Sequence, residues 1–168
     1  YKRQSLHQRR TIRLNIELLA AGTKPPDWIA TGIKEYQKRL PRDWPLDIRE
    51  IPVAKRRKGE PVTRQIQEEG QRMIAAISPN SMVVTLDRNG KNWSTEELAG
   101  KLESWQLEFS KVQFLIGGPD GLSNDCLAAA SQSWSLSKLT FPHFIVRILL
   151  AEQIYRAWSV LNNHPYHK

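Results

Sequence analysis

Four short apolar runs, at residues 14–20, 46–53, 81–86 and 112–116, are separated by segments whose apolar residues recur every three or four positions. Runs of this length suit strands and are too short for amphipathic helices, so the chain reads as strand and helix in turn. Strands spaced this way are joined by helical crossovers. The expected class is therefore α/β, a mainly parallel sheet with helices on both faces. The first helical stripe is Ile29, Ile33, Tyr36 and Leu40; the second is Val62, Ile66, Met73 and Ile77. Gly70 interrupts the second at a cost of about 1 kcal/mol relative to alanine. The third, Leu98, Leu102 and Trp105, follows Ser94 and Glu97, which have the spacing of a capping box. Pro52 marks an edge or a termination of the second strand. Asp87-Arg88-Asn89-Gly90-Lys91 reads as a turn-rich loop after the third. Beyond the fourth strand come Gly117-Gly118-Pro119-Asp120-Gly121, a small helix at 127–130, a strand-like run at 135–141 and a long helix from His143 to about Leu161.

A chain of 168 residues, 40% of them hydrophobic, can bury one ordinary core, so one domain is expected. Cys126 is the single cysteine, which excludes an intramolecular disulfide, and no Cys/His spacing supports zinc. A reducing compartment and a cytoplasmic location fit. No apolar run reaches the roughly 20 residues that span a bilayer, and the stretch 144–150 is interrupted by Arg147. The net charge of +8 suggests a polyanionic partner. Five of those charges, Lys2, Arg3, Arg9, Arg10 and Arg13, lie in residues 1–13, which hold no acid. That segment reads as a dispensable extension, with an artificial remnant and a basic RNA-binding arm as alternatives. The cluster Lys55-Arg56-Arg57-Lys58 is either a solvated loop or a phosphate-contacting one.

The chemistry-bearing residues gather in the C-terminal third. The glycine turn at 117–121 lets backbone approach a ligand, but it is neither a dinucleotide fingerprint nor a P-loop. A tight structural turn and a cofactor loop both fit. Ser135-Leu136-Ser137-Lys138-Leu139-Thr140-Phe141-Pro142-His143 brings backbone polar groups to a rim where a strand gives way to a helix. His143 and Arg147, four apart, share a helical face and could bind phosphate or move a proton; a capping histidine and a surface arginine are the plainer reading. The final helix is apolar almost all round, at Phe144, Ile145, Ile148, Leu149, Ile154, Tyr155, Trp158 and Leu161, so burial by a second subunit is expected. Glu152 and Arg156 have ion-pair spacing. In the tail His164-Pro165-Tyr166-His167-Lys168, Tyr166 could stack on a base, whereas metal binding lacks a third ligand. No paired-carboxylate or nucleophile-elbow signature supports hydrolysis.

These last segments carry more than periodicity does. Ile116-Gly117-Gly118-Pro119-Asp120-Gly121, the 135–143 run, Glu152-Gln153-Ile154-Tyr155-Arg156-Ala157 and His164-Pro165-Tyr166-His167 together resemble the ribosomal RNA large subunit methyltransferase H family, a branch of the SPOUT methyltransferases. Ala20-Ala21-Gly22-Thr23-Lys24, Tyr36-Gln37-Lys38-Arg39-Leu40, Glu69-Gly70 and Val84-Thr85-Leu86-Asp87 match as well, so the resemblance covers residues 14–168 as one domain.

The resemblance implies a C-terminal trefoil knot, a homodimer, and methyl transfer from S-adenosylmethionine to N3 of a pseudouridine in a hairpin loop of 23S ribosomal RNA on assembled ribosomes. It implies a cofactor pocket lined by Leu86, Gly117, Gly118, Leu136, Ser137, Lys138, Leu139, Thr140 and Phe141. His143, Arg147, Tyr166 and His167 are the expected catalytic group, with Arg147, Tyr166 and His167 facing RNA. Arg156, Lys55, Arg56 and Arg57 are the expected RNA contacts. His143 and His167 are both candidates to accept the N3 proton, and the tail could complete the partner subunit's site. A SPOUT enzyme acting on another RNA, and a non-catalytic RNA- or nucleotide-binding module, are the rival readings.

Overall fold

The computed structural model describes residues 12–53, 55 and 57–168. In chain order it comprises β1 (Asn15–Ala21), α1 (Asp27–Arg39), β2 (Leu46–Ile51), α2 (Val62–Ala75), β3 (Met82–Asn92), α3 (Thr95–Glu108), β4 (Lys111–Ile116), α4 (Asn124–Ala129), β5 (Gln132–Ser135), α5 (His143–Leu161) and a 3-10 turn, Pro165–His167. The sheet runs β2-β1-β4-β3-β5 with every pairing parallel. The α/β expectation with helices on both faces is borne out.

Strand alternation assigns the faces, because successive side chains point to opposite sides. Leu18, Ala20, Phe114 and Ile116 join one core cluster, together with Leu98, Leu102, Leu150 and Ile154 from α3 and α5. Leu19, Ala21, Val83 and Leu115 join the other, with Met73 from α2 and Cys126 from α4. Each fully buried Leu, Ile or Phe contributes about 1.5–3 kcal/mol relative to exposure, so the near-continuous apolar reading of β1 and β4 reflects burial from both sides. Gln113 is the polar exception on β4. Its amide donates to Glu17 Oε1 at 2.7 Å and to the Ala76 carbonyl at 3.1 Å, and its oxygen accepts from the Ser78 amide at 2.8 Å, which fixes the exit of α2 against the sheet.

Helix ends follow local chemistry. Leu40, held extended by Pro41, stops α1. The Ser94 hydroxyl accepts from the Glu97 amide at 3.0 Å while the Ser94 amide donates to Glu97 Oε2 at 2.6 Å, completing the expected capping box. The Ser123 side chain caps α4.

Two expectations need correction. Residues 87–91 do not leave the sheet: β3 continues to Asn92, with a register shift between Leu86 and Lys91 that bulges Asp87 to Gly90 outward. Gly90 allows it, because a Cβ there would lie 2.7 Å from the backbone of Ser133 and Trp134. The strand expected at 135–141 is instead β5 at Gln132–Ser135 followed by a loop to Pro142. The Ser135 hydroxyl donates to the Ser137 carbonyl at 3.0 Å, and the Ser137 hydroxyl accepts from the Leu139 amide at 3.0 Å. Such local bonds compete with a strand ladder and turn the chain away.

Candidate functional site

The carboxyl ends of β3, β4 and β5 open into a cavity of about 690 Å³. This is where parallel sheets place their ligand crevices, because the connecting loops diverge there. One wall is the turn after β4. A Cβ on Gly117 would lie 2.7 Å from the Gly121 carbonyl carbon and 2.9 Å from the Leu122 nitrogen, so only glycine allows the turn to close this tightly. Gly121 has φ +84° and its amide donates to the Gly118 carbonyl at 3.0 Å, completing a narrow hairpin. The opposite wall is the loop after β5, and Leu86, Ile116 and Val146 supply apolar surface between them.

Of the residues expected to hold a cofactor, Leu86, Gly117, Gly118, Leu136, Ser137, Leu139, Thr140 and Phe141 all line this cavity. Lys138 is exposed and does not. Its neighbours' backbone shapes the wall while its side chain is left in solvent. The side chain of Leu139 is 71% exposed at the mouth, a large apolar group left in solvent. Asp87 and Arg88, carried there by the β3 bulge, are wall residues the sequence reading missed, because a turn-like composition hid the continuing strand.

His143 also lines the cavity. Pro142 precedes α5, and no side chain caps this helix end, so the plainer reading of a capping histidine does not hold. Burial lowers the imidazole's affinity for a proton, and the Arg147 charge lowers it further. Arg147 itself is 1% exposed. The expectation that it faces RNA, and the alternative that it is a surface arginine, are both corrected: α5 turns it inward beneath the sheet edge. Its Nη1 reaches Glu50 Oε1 on β2 at 3.4 Å. Burial lowers its pKa, and Glu50 opposes that effect. Glu50 was missed because it stands 97 positions away in sequence.

The tail lies elsewhere. Arg156 is thirteen residues beyond His143 on α5, roughly 20 Å at the rise of an α-helix. There Arg156 Nη2 meets Glu152 Oε1 at 2.6 Å, which raises its pKa, so the ion pair expected from spacing is present. The Tyr166 hydroxyl donates to Glu152 Oε1 at 3.1 Å, and the Arg156 guanidinium lies 4.9 Å from the Tyr166 ring centroid. Burial, then Tyr36 and Glu152, raise the Tyr166 pKa, so it stays a neutral donor. His167 Nδ1 is buried without a hydrogen-bond partner among the described residues. Within one chain, Tyr166, His167 and Arg156 are therefore gathered together but not at the cavity. Lys55 and Arg57 are exposed, with Arg57 4.0 Å from Glu60, and neither lines the cavity. Arg56 lies outside the described residues.

No group of three or more His, Cys, Asp or Glu that could hold a metal ion occurs among the described residues. Nor, among them, is any helix long and apolar enough to cross a membrane.

A family profile described as "Predicted SPOUT methyltransferase" matches residues 14–167. Among solved structures, a "probable methylase family protein" from Haemophilus influenzae Rd KW20 aligns at a TM-score of 0.51 with 14% identity, over 94% of this chain and 71% of its own. A "Probable Methyltransferase" from Bordetella pertussis Tohama I aligns at 0.50 with 12% identity, over 88% of this chain and 96% of its own. A Legionella pneumophila protein described "in complex with the bound cofactor SAM" aligns at 0.49 with 11% identity, over 86% of this chain and 66% of its own. At such identities the first two share the fold with this chain.

Proposed function

Because the chain belongs to the SPOUT methyltransferase family, we propose that it transfers a methyl group from S-adenosylmethionine to N3 of a pseudouridine in a hairpin loop of 23S ribosomal RNA on assembled ribosomes. In this reading it acts in the cytoplasm, in ribosomal RNA processing, as a member of the ribosomal RNA large subunit methyltransferase H branch. Residues 14–168 would form one catalytic domain with a C-terminal trefoil knot.

The observation that carries the reading is the cavity between the glycine turn and the 136–141 loop. Its volume of about 690 Å³ suits a cofactor, and its mix of apolar and polar walls suits a nucleoside. The fit extends to the glycine turn, where a side chain on Gly117 would fill the cradle. Leu86, Leu136 and Leu139 would cover apolar faces, while backbone groups of residues 136–141 and of Gly117 would take the hydrogen bonds. When bound, S-adenosylmethionine supplies an already activated methyl on a sulfonium. The protein's contribution is then positional: these walls align the donor with the base nitrogen and exclude water. N3 must also lose a proton, and His143 at the wall can accept it.

A homodimer would cover the face of α5 that this chain covers only in part. Phe144, Ile145, Ile148 and Leu149 are only half-buried, and Trp28 on the neighbouring α1 is 62% exposed. In a dimer, the Tyr166-His167 tail and Arg156 would reach the partner subunit's cavity rather than their own. Arg156, Lys55, Arg56 and Arg57 would contact the RNA, and Lys138 the rim.

The test is methyl transfer from labelled S-adenosylmethionine to free ribosomal RNA, isolated subunits, whole ribosomes and transfer RNA, with the modified nucleotide mapped. Label at N3 of one 23S pseudouridine, strongest on whole ribosomes, is expected. Label confined to transfer RNA would overturn the substrate assignment.

A further inference from the structure

The buried Arg147 is expensive to keep. Its side chain is 1% exposed, its one charged partner is the half-exposed Glu50 at 3.4 Å, and its Nε and Nη2 have no hydrogen-bond partner among the described residues. A guanidinium in that condition lowers stability, because desolvation is only partly offset by one long ion pair. Its remaining close companion is the Phe144 ring, with the guanidinium carbon 5.1 Å from the centroid. Packing alone would be better served by an apolar residue.

What the charge adjoins is His143, one helical turn earlier on α5. Gly22, just past β1 at φ +137°, brings the two together: a Cβ there would lie 3.3 Å from Arg147 Nη2 and 3.9 Å from His143 Nε2. Both side chains thus press on the same glycine, with His143 toward the cavity and Arg147 behind it. A charge held in a poorly solvated place acts strongly on its neighbours.

We infer that Arg147 is a positioning residue: its buried, underpaired charge, packed with His143 against Gly22, disfavours a second positive charge at the cavity wall and leaves the His143 ring free to take the proton that the target base gives up. The inference rests on the methyl-transfer reading above and assigns the proton to His143 rather than His167. The N3–H proton moves to a His143 ring nitrogen, and N3 forms the new bond to the methyl carbon. The electron pair of the broken carbon–sulfur bond stays on sulfur, and the proton passes from His143 to solvent. Arg147 is the charged neighbour acting on His143, and Glu50 is the one acting on Arg147. Glu50 partly offsets the Arg147 charge that His143 meets, so removing one or the other should act on the ring with opposite sign.

That opposition supplies the test. Nuclear magnetic resonance titration of the histidine rings in the full chain follows His143 in wild type, Arg147→Gln, Arg147→Lys and Glu50→Gln. Arg147→Gln is expected to move the His143 midpoint upward, Arg147→Lys to keep it near wild type, and Glu50→Gln to move it further down. A midpoint that stays put or moves the other way in Glu50→Gln overturns the inference, even if Arg147→Gln fails to fold. In the pH profile of methyl transfer, the rising limb should shift with the same sign as each midpoint. Lost turnover with an unshifted limb would reduce Arg147 to a structural role and also overturn it. No transfer to any RNA would refute the methyl-transfer reading, while the titration would still judge the charge relation.

Discussion

Gly117→Ala is the smallest change that should damage the cavity. The added Cβ would lie 2.7 Å from the Gly121 carbonyl carbon, against about 3.4 Å for ordinary contact, and the three nearest atoms, all within 3 Å, belong to backbone. No flexible side chain can give way, so the hairpin must open by about 0.7 Å. Overpacking of this kind costs about 1–3 kcal/mol. At about 2–4 °C per kcal/mol for a chain of this size, Tm should fall by about 2–12 °C. The larger effect should be on the ligand, since misplacing a site by about 1 Å can cost about a hundredfold. Calorimetric titration of S-adenosylmethionine should show affinity reduced about ten- to a hundredfold. Gly100→Ala is the control, because that helical glycine has nothing within 4 Å of a new Cβ and should gain up to about 1 kcal/mol. Gly117→Ala with unchanged Tm and unchanged affinity would refute the argument that this turn is closed by necessity and forms the pocket wall.

Leu139, largely exposed at the cavity mouth, should matter to the donor and not to the fold. Leu139→Ala is expected to weaken S-adenosylmethionine binding by up to about fiftyfold, from roughly 0.8 kcal/mol for each of the carbons removed, with Tm unchanged in differential scanning fluorimetry. His143 resists protonation in the folded state relative to its ordinary value of 6.5. Its contribution is therefore fully present above pH 6.5 and is lost as pH falls through the lower folded value. Urea unfolding across pH 5 to 8 should show wild type losing stability on acidification relative to His143→Gln, and parallel curves would reject the shift. Sedimentation should find a dimer that Ile148→Asp converts to monomer, and an unaltered mass would show that this face of α5 is not the subunit contact.

Periodicity made most of the sheet legible. Apolar runs such as 112–116 announced β4, and the Ser94–Glu97 pair announced the start of α3 with its cap. What escaped was decided by contacts between distant segments or by side chains bonding their own backbone. Asp87-Arg88-Asn89-Gly90 has the composition of a turn, yet Lys91 and Asn92 regain pairing with Trp134 and Ser135 because Gly90 lets the strands approach. Leu136, Leu139 and Phe141 look strand-like, yet Ser135 and Ser137 bond to neighbouring backbone and the segment becomes a wall. At the site, the glycine turn and the 136–141 loop were legible as a pair from the family resemblance. The burial of Arg147 was not, because it depends on Glu50 of β2 and on Gly22 just past β1, both far away in sequence.

The most direct measurement of the central claim is a crystal structure of the protein grown with S-adenosylmethionine. Donor density is expected between the Gly117–Gly121 turn and the 136–141 loop, with Leu139 folded over it and His143 beside the methyl group. Donor density at any other place on the chain, or an empty cavity in crystals of protein shown by calorimetry to be saturated with the donor, would contradict it.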